Sequence, residues 1–560
     1  TMYPFATQNA KDYFHLLDVY LDAAFFPLLD ELNFKQEGHR LEFEKVSASG
    51  SEETLVYKGV VYNEMKGAMS SADQVMGRSL LKGLFPETTY GNNSGGDPAV
   101  IPQLTHAQLV AFHQRHYHPS NAYFYTYGDL PLEKLLAFID EKIMRRFKHI
   151  DPKTDVPSHP RWASPKHARF TYPLAPGEEP ARKSQSCLAW LTSDIRDTFE
   201  VLVMSVLEQI LLGNPGSPLR RALMDSGLGS ALSDVSGYDA DNRDTYFACG
   251  LKDIEESAAG EVEKLIMDVL EQLAADGIDK ELVDSAIHQI EFHRKEITNS
   301  PYPYGLKLLL TVIGTWLHGG DPERVLKLDG DLQHLHQEIA KSGFLEKRLR
   351  TDLLDNPHCL HMVLAPDTQQ GEREERQLRQ ELQTRLQRLT EQERIKIKED
   401  AARLQALQEG QEDLSCLPTL AIADIPPDIQ TCAPPLVVPG GPIWRYVQST
   451  SDIFYLKLAA GVASMDEALL SWLPFYCYAF HQMGTRRHDY STMAHRLDMV
   501  TGGFSLSAQV RTPFEQPDVC LPMVSLNTKC LTRNITATLD IVEELLGEVL
   551  FNDETRLQQL

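Results

Sequence analysis

Glu64 stands in the run Lys58-Gly59-Val60-Val61-Tyr62-Asn63-Glu64-Met65-Lys66-Gly67. A carboxylate on a helix does metal chemistry when imidazoles stand beside it. A helical site of that kind takes two histidines at i and i+4, as in H-E-x-x-H or its inverse H-x-x-E-H. Neither pattern occurs in these 560 residues. Two near misses fail on spacing. In His288-Gln-Ile-Glu291-Phe-His293 the histidines are five apart, about 140° around a helix. His39-Arg-Leu-Glu42-Phe43 has Phe where the second histidine belongs. A denser group is His106, His113, His116 and His118. His113 and His116 are helix neighbours, but His118-Pro119 ends that helix, and histidines there suit the C-terminal dipole. Glu64 alone reads as a solvated face residue. Its helix, however, carries an apolar side (Val61, Met65, Ala68, Met69, Ala72, Val75, Met76). Glu64 lies near that boundary, where an unpaired carboxylate is costly and a cation would remove the cost. The sequence has no G-x-S-x-G, no Walker loop and no G-x-G-x-x-G followed by a suitable helix. Ser94-Gly95-Gly96-Asp97-Pro98 and Gly319-Gly320-Asp321-Pro322 read as tight glycine turns, with substrate-facing backbone as the sharper alternative.

The elements that position these residues alternate between helix and strand. Phe14 to Phe26 has helical apolar spacing. Leu41–Phe43 and Leu55–Tyr57 read as short strands, followed by one helix from about Gly59 to Leu81. Thr105-x-x-Gln108 is a capping-box start for a helix ending near His116. The aromatic alternation Asn121-Ala-Tyr-Phe-Tyr-Thr-Tyr predicts a strand. Further on, 185–191 and 245–251 are predicted strands, and 199–212 and 255–275 predicted helices; Ser217-Pro218 opens another helix that stops at Gly227. Residues 371–410 are rich in Glu, Arg, Gln and Leu. Leu378, Leu382, Leu386 and Leu389, then the capping box Thr390-x-x-Glu393, predict two helices in a hairpin. The hairpin reads as a spacer between two halves, against the blander reading of a solvated pair with no partner.

Proline-rich 151–165 and a second proline-rich stretch after the hairpin divide the chain. The expected units are 1–150, the linker 151–165, 166–365, the hairpin 366–415 and 416–560. The expected fold class is α+β: repeated αβ domains, each an antiparallel sheet packed with helices, in two halves. A shift of 525 positions lays Thr7, Asn9 and the apolar phase of the first helix on Thr532, Asn534 and Ile541 to Phe551, which suggests a long-period repeat. A net charge of −25 argues against nucleic acid and would draw basic peptides. No run of about 20 apolar residues occurs, so no membrane helix is expected. Eight scattered cysteines without C-x-x-C suit a reducing compartment and argue against a cysteine metal site.

The motifs Tyr3-Pro4-Phe5-Ala6-Thr7, Gly59 to Gly67, Ser94 to Pro98, Tyr117-His118-Pro119-Ser120-Asn121, Tyr304-Gly305-Leu306 and His318 to Pro322 together resemble one family. It is the insulinase/pitrilysin class of inverted zinc metallopeptidases, in its presequence-protease branch. The resemblance implies four αβ domains closing around a peptide chamber, with Zn²⁺ held by two histidines and a glutamate. It places Glu64 as the third ligand and puts the H-x-x-E-H helix, with its general base, upstream of Thr1. An arginine and a tyrosine that stabilise the transition state would lie beyond Leu560. The third domain would be a degenerate copy without metal, and Phe475 to Gly484, with only His481, agrees. The chain then reads as an internal piece of an endopeptidase of unfolded or basic peptides, monomeric when whole. Its address would be the cytoplasm in a bacterium or an organelle matrix in a eukaryote. Alone it is expected to be inactive and to bind zinc poorly, because one carboxylate is not a site. The alternative is a family member without activity that binds peptides or acts as a scaffold subunit.

Overall fold

The computed structural model describes residues 1–45, 53–411, 413–428, 431, 433–438 and 441–560. The chain opens with the helix Ala10–Phe25, capped by Asn9, whose side chain accepts from the Lys11 and Asp12 amides. Its Leu17 and Leu21 bury against Leu135, Ile139 and Ile143 from the helix Leu132–Lys142 and its end. Between these helices, β1 (Arg40–Lys45) and β2 (Glu53–Lys58) form an antiparallel hairpin. The helices Val60–Ala68 and Ala72–Leu84 follow. They replace the single helix expected from Gly59 to Leu81: Ser71 caps the second helix and breaks the run.

The strand expected at 121–127 does not form. The alternation there is real, but its two faces meet helices, and among the described residues no strand pairs with it. Tyr123 packs on Trp316, with ring centroids 4.5 Å apart. The Tyr125 hydroxyl donates to the Gly305 carbonyl at 3.0 Å. Phe124 stacks on Phe25 from the other side.

A six-stranded mixed sheet forms the centre of the molecule. Its strands are β3 (Lys166–Pro173), β4 (Ser184–Asp194), β5 (Ala231–Leu232), β6 (Gly237–Asp239), β7 (Asp244–Ile254) and β8 (Cys359–Asp367). The order is β3-β8-β4-β7-β5, with β6 also on β7; only β3 and β8 run parallel. The helices Thr198–Leu212, Ala259–Asp276 and Lys280–Lys295 build one buried cluster with Leu188, Trp190, Phe247 and Leu251. The opposite face carries Cys187, Ala189, Leu360, Met362 and Leu364 and is covered by the helix Ala72–Leu84. Packing therefore crosses the proline-rich 151–165 stretch.

The helices Gln370–Arg388 and Glu391–Glu409 form the expected hairpin, with the Thr390–Glu393 capping box intact. They are not a free solvated pair. Leu378, Leu382, Leu386 and Leu389 bury against Leu55, Tyr57 and Tyr62, and Lys35 pairs with Asp400 at 2.5 Å. After the short β9 (Leu436–Val438) and β10 (Ile443–Arg445), a three-stranded antiparallel sheet forms from β11 (Ile453–Gly461), β12 (Phe504–Arg511) and β13 (Leu521–Leu531), in the order β11-β13-β12. The helix Ile535–Glu548 covers it, with Asn534 at the N-cap position that Asn9 holds in the first helix. The last unit docks on the central one. Glu296 pairs with Lys529 at 2.7 Å, Arg533 with Glu291 at 2.7 Å, and Gln289 donates to the Thr501 carbonyl at 2.8 Å.

Candidate metal centre

Glu64 owes its position to Gly59. Gly59 has φ +153°, and a Cβ there would lie 2.2 Å from the Gly38 carbonyl oxygen. Only glycine lets the chain pass this close before turning into the helix. The Tyr62 amide then donates to the Gly38 carbonyl at 3.3 Å. Tyr62 points inward, 4% exposed, into the cluster with Leu55, Tyr57 and Leu382. Two residues on, about 200° around the helix, Glu64 faces out and is exposed. This corrects the expectation that burial makes its charge costly. Val75 and Met76 lie on the next helix and face the central sheet, so the apolar side that seemed to reach Glu64 belongs to two surfaces. What recommends Glu64 as a ligand is its accessibility.

The first glycine turn packs on the same helix. A Cβ on Gly95 would meet Met65 Sδ at 2.3 Å, and Gly96 has φ +89°. Asn93 Nδ2 donates to the Gly96 carbonyl at 2.7 Å. The second turn ends the helix Tyr304–Leu317: Gly319 has φ +77°, and Asp321 caps Pro322–Leu326. His318 Nε2 lies 3.1 Å from the Tyr90 hydroxyl.

Most of the histidines in these groups are engaged elsewhere. His39, His106 and His113 each bond a backbone carbonyl, of Leu104, Leu29 and Ala24. His118 Nδ1 accepts from the Ser120 amide at 3.1 Å. In the helix Lys280–Lys295, Arg533 and then Lys295 hold the Glu291 carboxyl down at about 2. His288 is buried, and its burial lowers its pKa. His293 bonds the Gln289 carbonyl.

One cluster had no signature in the sequence. His167, Glu263 and His361 offer three ligand atoms within 4.8 Å of one another. They stand about a hundred positions apart, and the register β3–β8, which sets His167 opposite His361, brings them together. Neither His167 nor His361 falls in a strand expected from the sequence, and a lone histidine carries no pairing information. The described cysteines are free; Cys432 lies outside the described residues.

Residues 103–290 match the family model described as "Peptidase M16 inactive domain", and 364–560 match the model of the domain associated with subfamily C of the M16 peptidases. These two models define a class, the M16 peptidases. The chain belongs to that family, in its presequence-protease branch. It is 36% identical over 563 residues to the mitochondrial presequence protease of Danio rerio, matching 100% of this chain and 54% of that protein. Identity is 33% to the Mus musculus protein, again with 100% and 54% covered. It is 32% to presequence protease 1 of Arabidopsis thaliana, with 100% and 52% covered. The chain spans about half the length of the curated relatives it matches. Among solved structures it is similar to a ferredoxin protease FusC variant in complex with Arabidopsis ferredoxin, at 12% identity, 96% and 55% coverage and TM-score 0.45.

Proposed function

We propose that this chain forms part of a zinc-dependent endopeptidase of unfolded peptides, of the targeting or presequence kind. The observation that carries the proposal is similarity to presequence proteases along the whole chain, at 36% identity. Glu64 is the proposed carboxylate ligand, because its exposed side chain is free to turn toward a metal. Neither H-x-x-E-H nor H-E-x-x-H occurs in these 560 residues, so in this proposal the two histidines and the general base come from elsewhere in the whole protein. Zinc held there would polarise the scissile carbonyl and lower the pKa of its water. This chain's own contribution is position. Gly59 and the packed Tyr62 fix the helix that presents Glu64.

A substrate of this kind adds to an open sheet edge through main-chain hydrogen bonds, which selects unfolded peptides over folded proteins. The net charge of −25 favours basic peptides. The organelle matrix is the proposed location, after the mitochondrial and chloroplast relatives. None of the described helices is long and apolar enough to cross a membrane.

The test is the zinc content and peptide hydrolysis of the whole protein. Glu64→Gln should lose both while retaining its circular dichroism spectrum. Full zinc occupancy and rate in that variant would remove Glu64 from the site. A whole protein that binds peptides but never hydrolyses them would instead be a scaffold subunit.

A further inference from the structure

We propose that His167, Glu263 and His361 form a zinc-class divalent-cation site on the central sheet, one in which Glu64 takes no part. His167 and His361 are register partners on the parallel pair β3 and β8, so both side chains leave the same face of the sheet. Their ring centroids are 4.4 Å apart. The helix Ala259–Asp276 crosses that face and brings Glu263 over the pair. His361 Nδ1 lies 2.9 Å from a Glu263 carboxylate oxygen. That nitrogen is buried, and its geometry to the carboxylate is not that of a hydrogen bond, so it has no hydrogen-bond partner among the described residues. Two imidazoles held this close, one with an unsatisfied buried nitrogen, are an unfavourable arrangement for a site with no occupant.

The surroundings favour a cation. The cluster opens into a cleft of about 410 Å³, lined also by Arg169 and Glu256. Those two residues neutralise one another, with Arg169 Nε donating to Glu256 at 2.6 Å. Glu263 is thus the carboxylate left to face the imidazoles. Tetrahedral zinc with bonds of about 2.0–2.1 Å sets its donor atoms about 3.3 Å apart. The three donors here lie within 4.8 Å of one another, so side-chain shifts of at most about 1.5 Å would close the set. Two imidazoles, one carboxylate and an open position toward the cleft suit Zn²⁺, and also Co²⁺. The ion would tie the edge strand β3 to its neighbour and to the helix above. On this proposal the chain alone would offer a complete site, against the expectation that it binds zinc poorly.

The experiment is equilibrium dialysis of the metal-stripped 560-residue chain against Zn²⁺ at about pH 7. Visible absorption of the Co²⁺ form is the second readout. The expected result is one equivalent of zinc and a Co²⁺ band. His167→Ala, Glu263→Gln and His361→Ala should each weaken zinc binding by about 100-fold, at or beyond the loss typical of an outer-shell partner. Glu64→Gln should leave binding unchanged, which separates this site from the proposed peptidase metal. His361 is mostly buried, and its variant can lose fold; His167 is exposed, so His167→Ala decides. No stoichiometric zinc, or zinc retained at full affinity in a folded His167→Ala variant, would overturn the proposal and leave an ion pair beside a second histidine.

Discussion

Acidification should destabilise this protein through His358. The residue immediately precedes β8 and is fully buried, 0% exposed, with its ring stacked 3.7 Å from that of Trp162. Both ring nitrogens are used in the neutral form. Nδ1 accepts from the Trp162 amide at 3.3 Å, and Nε2–H donates to the Leu84 carbonyl at 3.2 Å. A second proton would have to expel the Trp162 donor. Burial, with Arg161, His159 and Lys166 nearby, outweighs the Leu84 carbonyl and lowers the pKa from 6.5 to about 4. In the unfolded chain the group returns to about 6.5, so the unfolded state takes the proton first. Stability from this group is therefore complete above about pH 6.5 and falls as pH drops toward 4. Linkage gives RT ln[(1+10^(6.5−pH))/(1+10^(4−pH))], a loss of about 2 kcal/mol at pH 5 and about 3 kcal/mol at pH 4. The assay is urea unfolding at fixed ionic strength across this range, for the parent and for His358→Gln, which can still donate to Leu84 but does not titrate. The variant should start about 1–2 kcal/mol less stable at neutral pH and show a shallower acid slope. Titrations elsewhere are common to both chains and cancel. Equal losses between about pH 7 and pH 5 would refute the reasoning.

Three further outcomes follow from the packing. A Cβ at Gly502 would lie 2.0 Å from the ring of the fully buried Phe292, at the seam between the central and last units. Gly502→Ala should cost about 1–3 kcal/mol; simple additivity with Phe292→Ala in a double-mutant cycle would show that the seam is not packed this way. Burial alone would raise the Glu544 carboxyl, but Thr485, Arg496 and His488 outweigh it and hold it at about 2, below its ordinary 4.5. Its stabilisation is complete above about pH 4.5 and fades as pH falls toward 2, and Glu544→Gln should cost roughly 2 kcal/mol at neutral pH, discounted because Arg496 and His488 are about a third exposed. Thermal melts at neutral and acid pH would show that difference shrinking. Thr390→Ala removes the capping box between the hairpin helices and should cost about 1 kcal/mol, seen as faster amide exchange at 391–394; unchanged protection there would contradict it.

Local order was legible where local physics decides it. The capping boxes at Thr105 and Thr390 appear with both reciprocal bonds, because a cap joins residues three apart. The strands at 185–191 and 245–251 and the helix at 199–212 appear within a few residues of their expected bounds. The errors share one cause. Residues 121–127 have the alternation of a strand but meet Trp316 and Phe25 where a strand needs a ladder partner. Glu64 was placed against apolar residues that the break at Met69–Ser71 sends to another surface.

By itself the sequence determined the capped helices, the strands near 185–191 and 245–251, the hairpin of 370–409, the resemblance at Gly59 to Gly67 and the absence of a two-histidine motif. These depend on neighbours a few residues apart. Tertiary structure alone decided that the hairpin leucines bury against Tyr57 and Tyr62, that the helix Ala72–Leu84 covers the central sheet, and that His167, Glu263 and His361 meet. Each of those joins residues roughly a hundred or more positions apart. Strand register and helix docking set such meetings, and both are chosen by burial over the whole molecule.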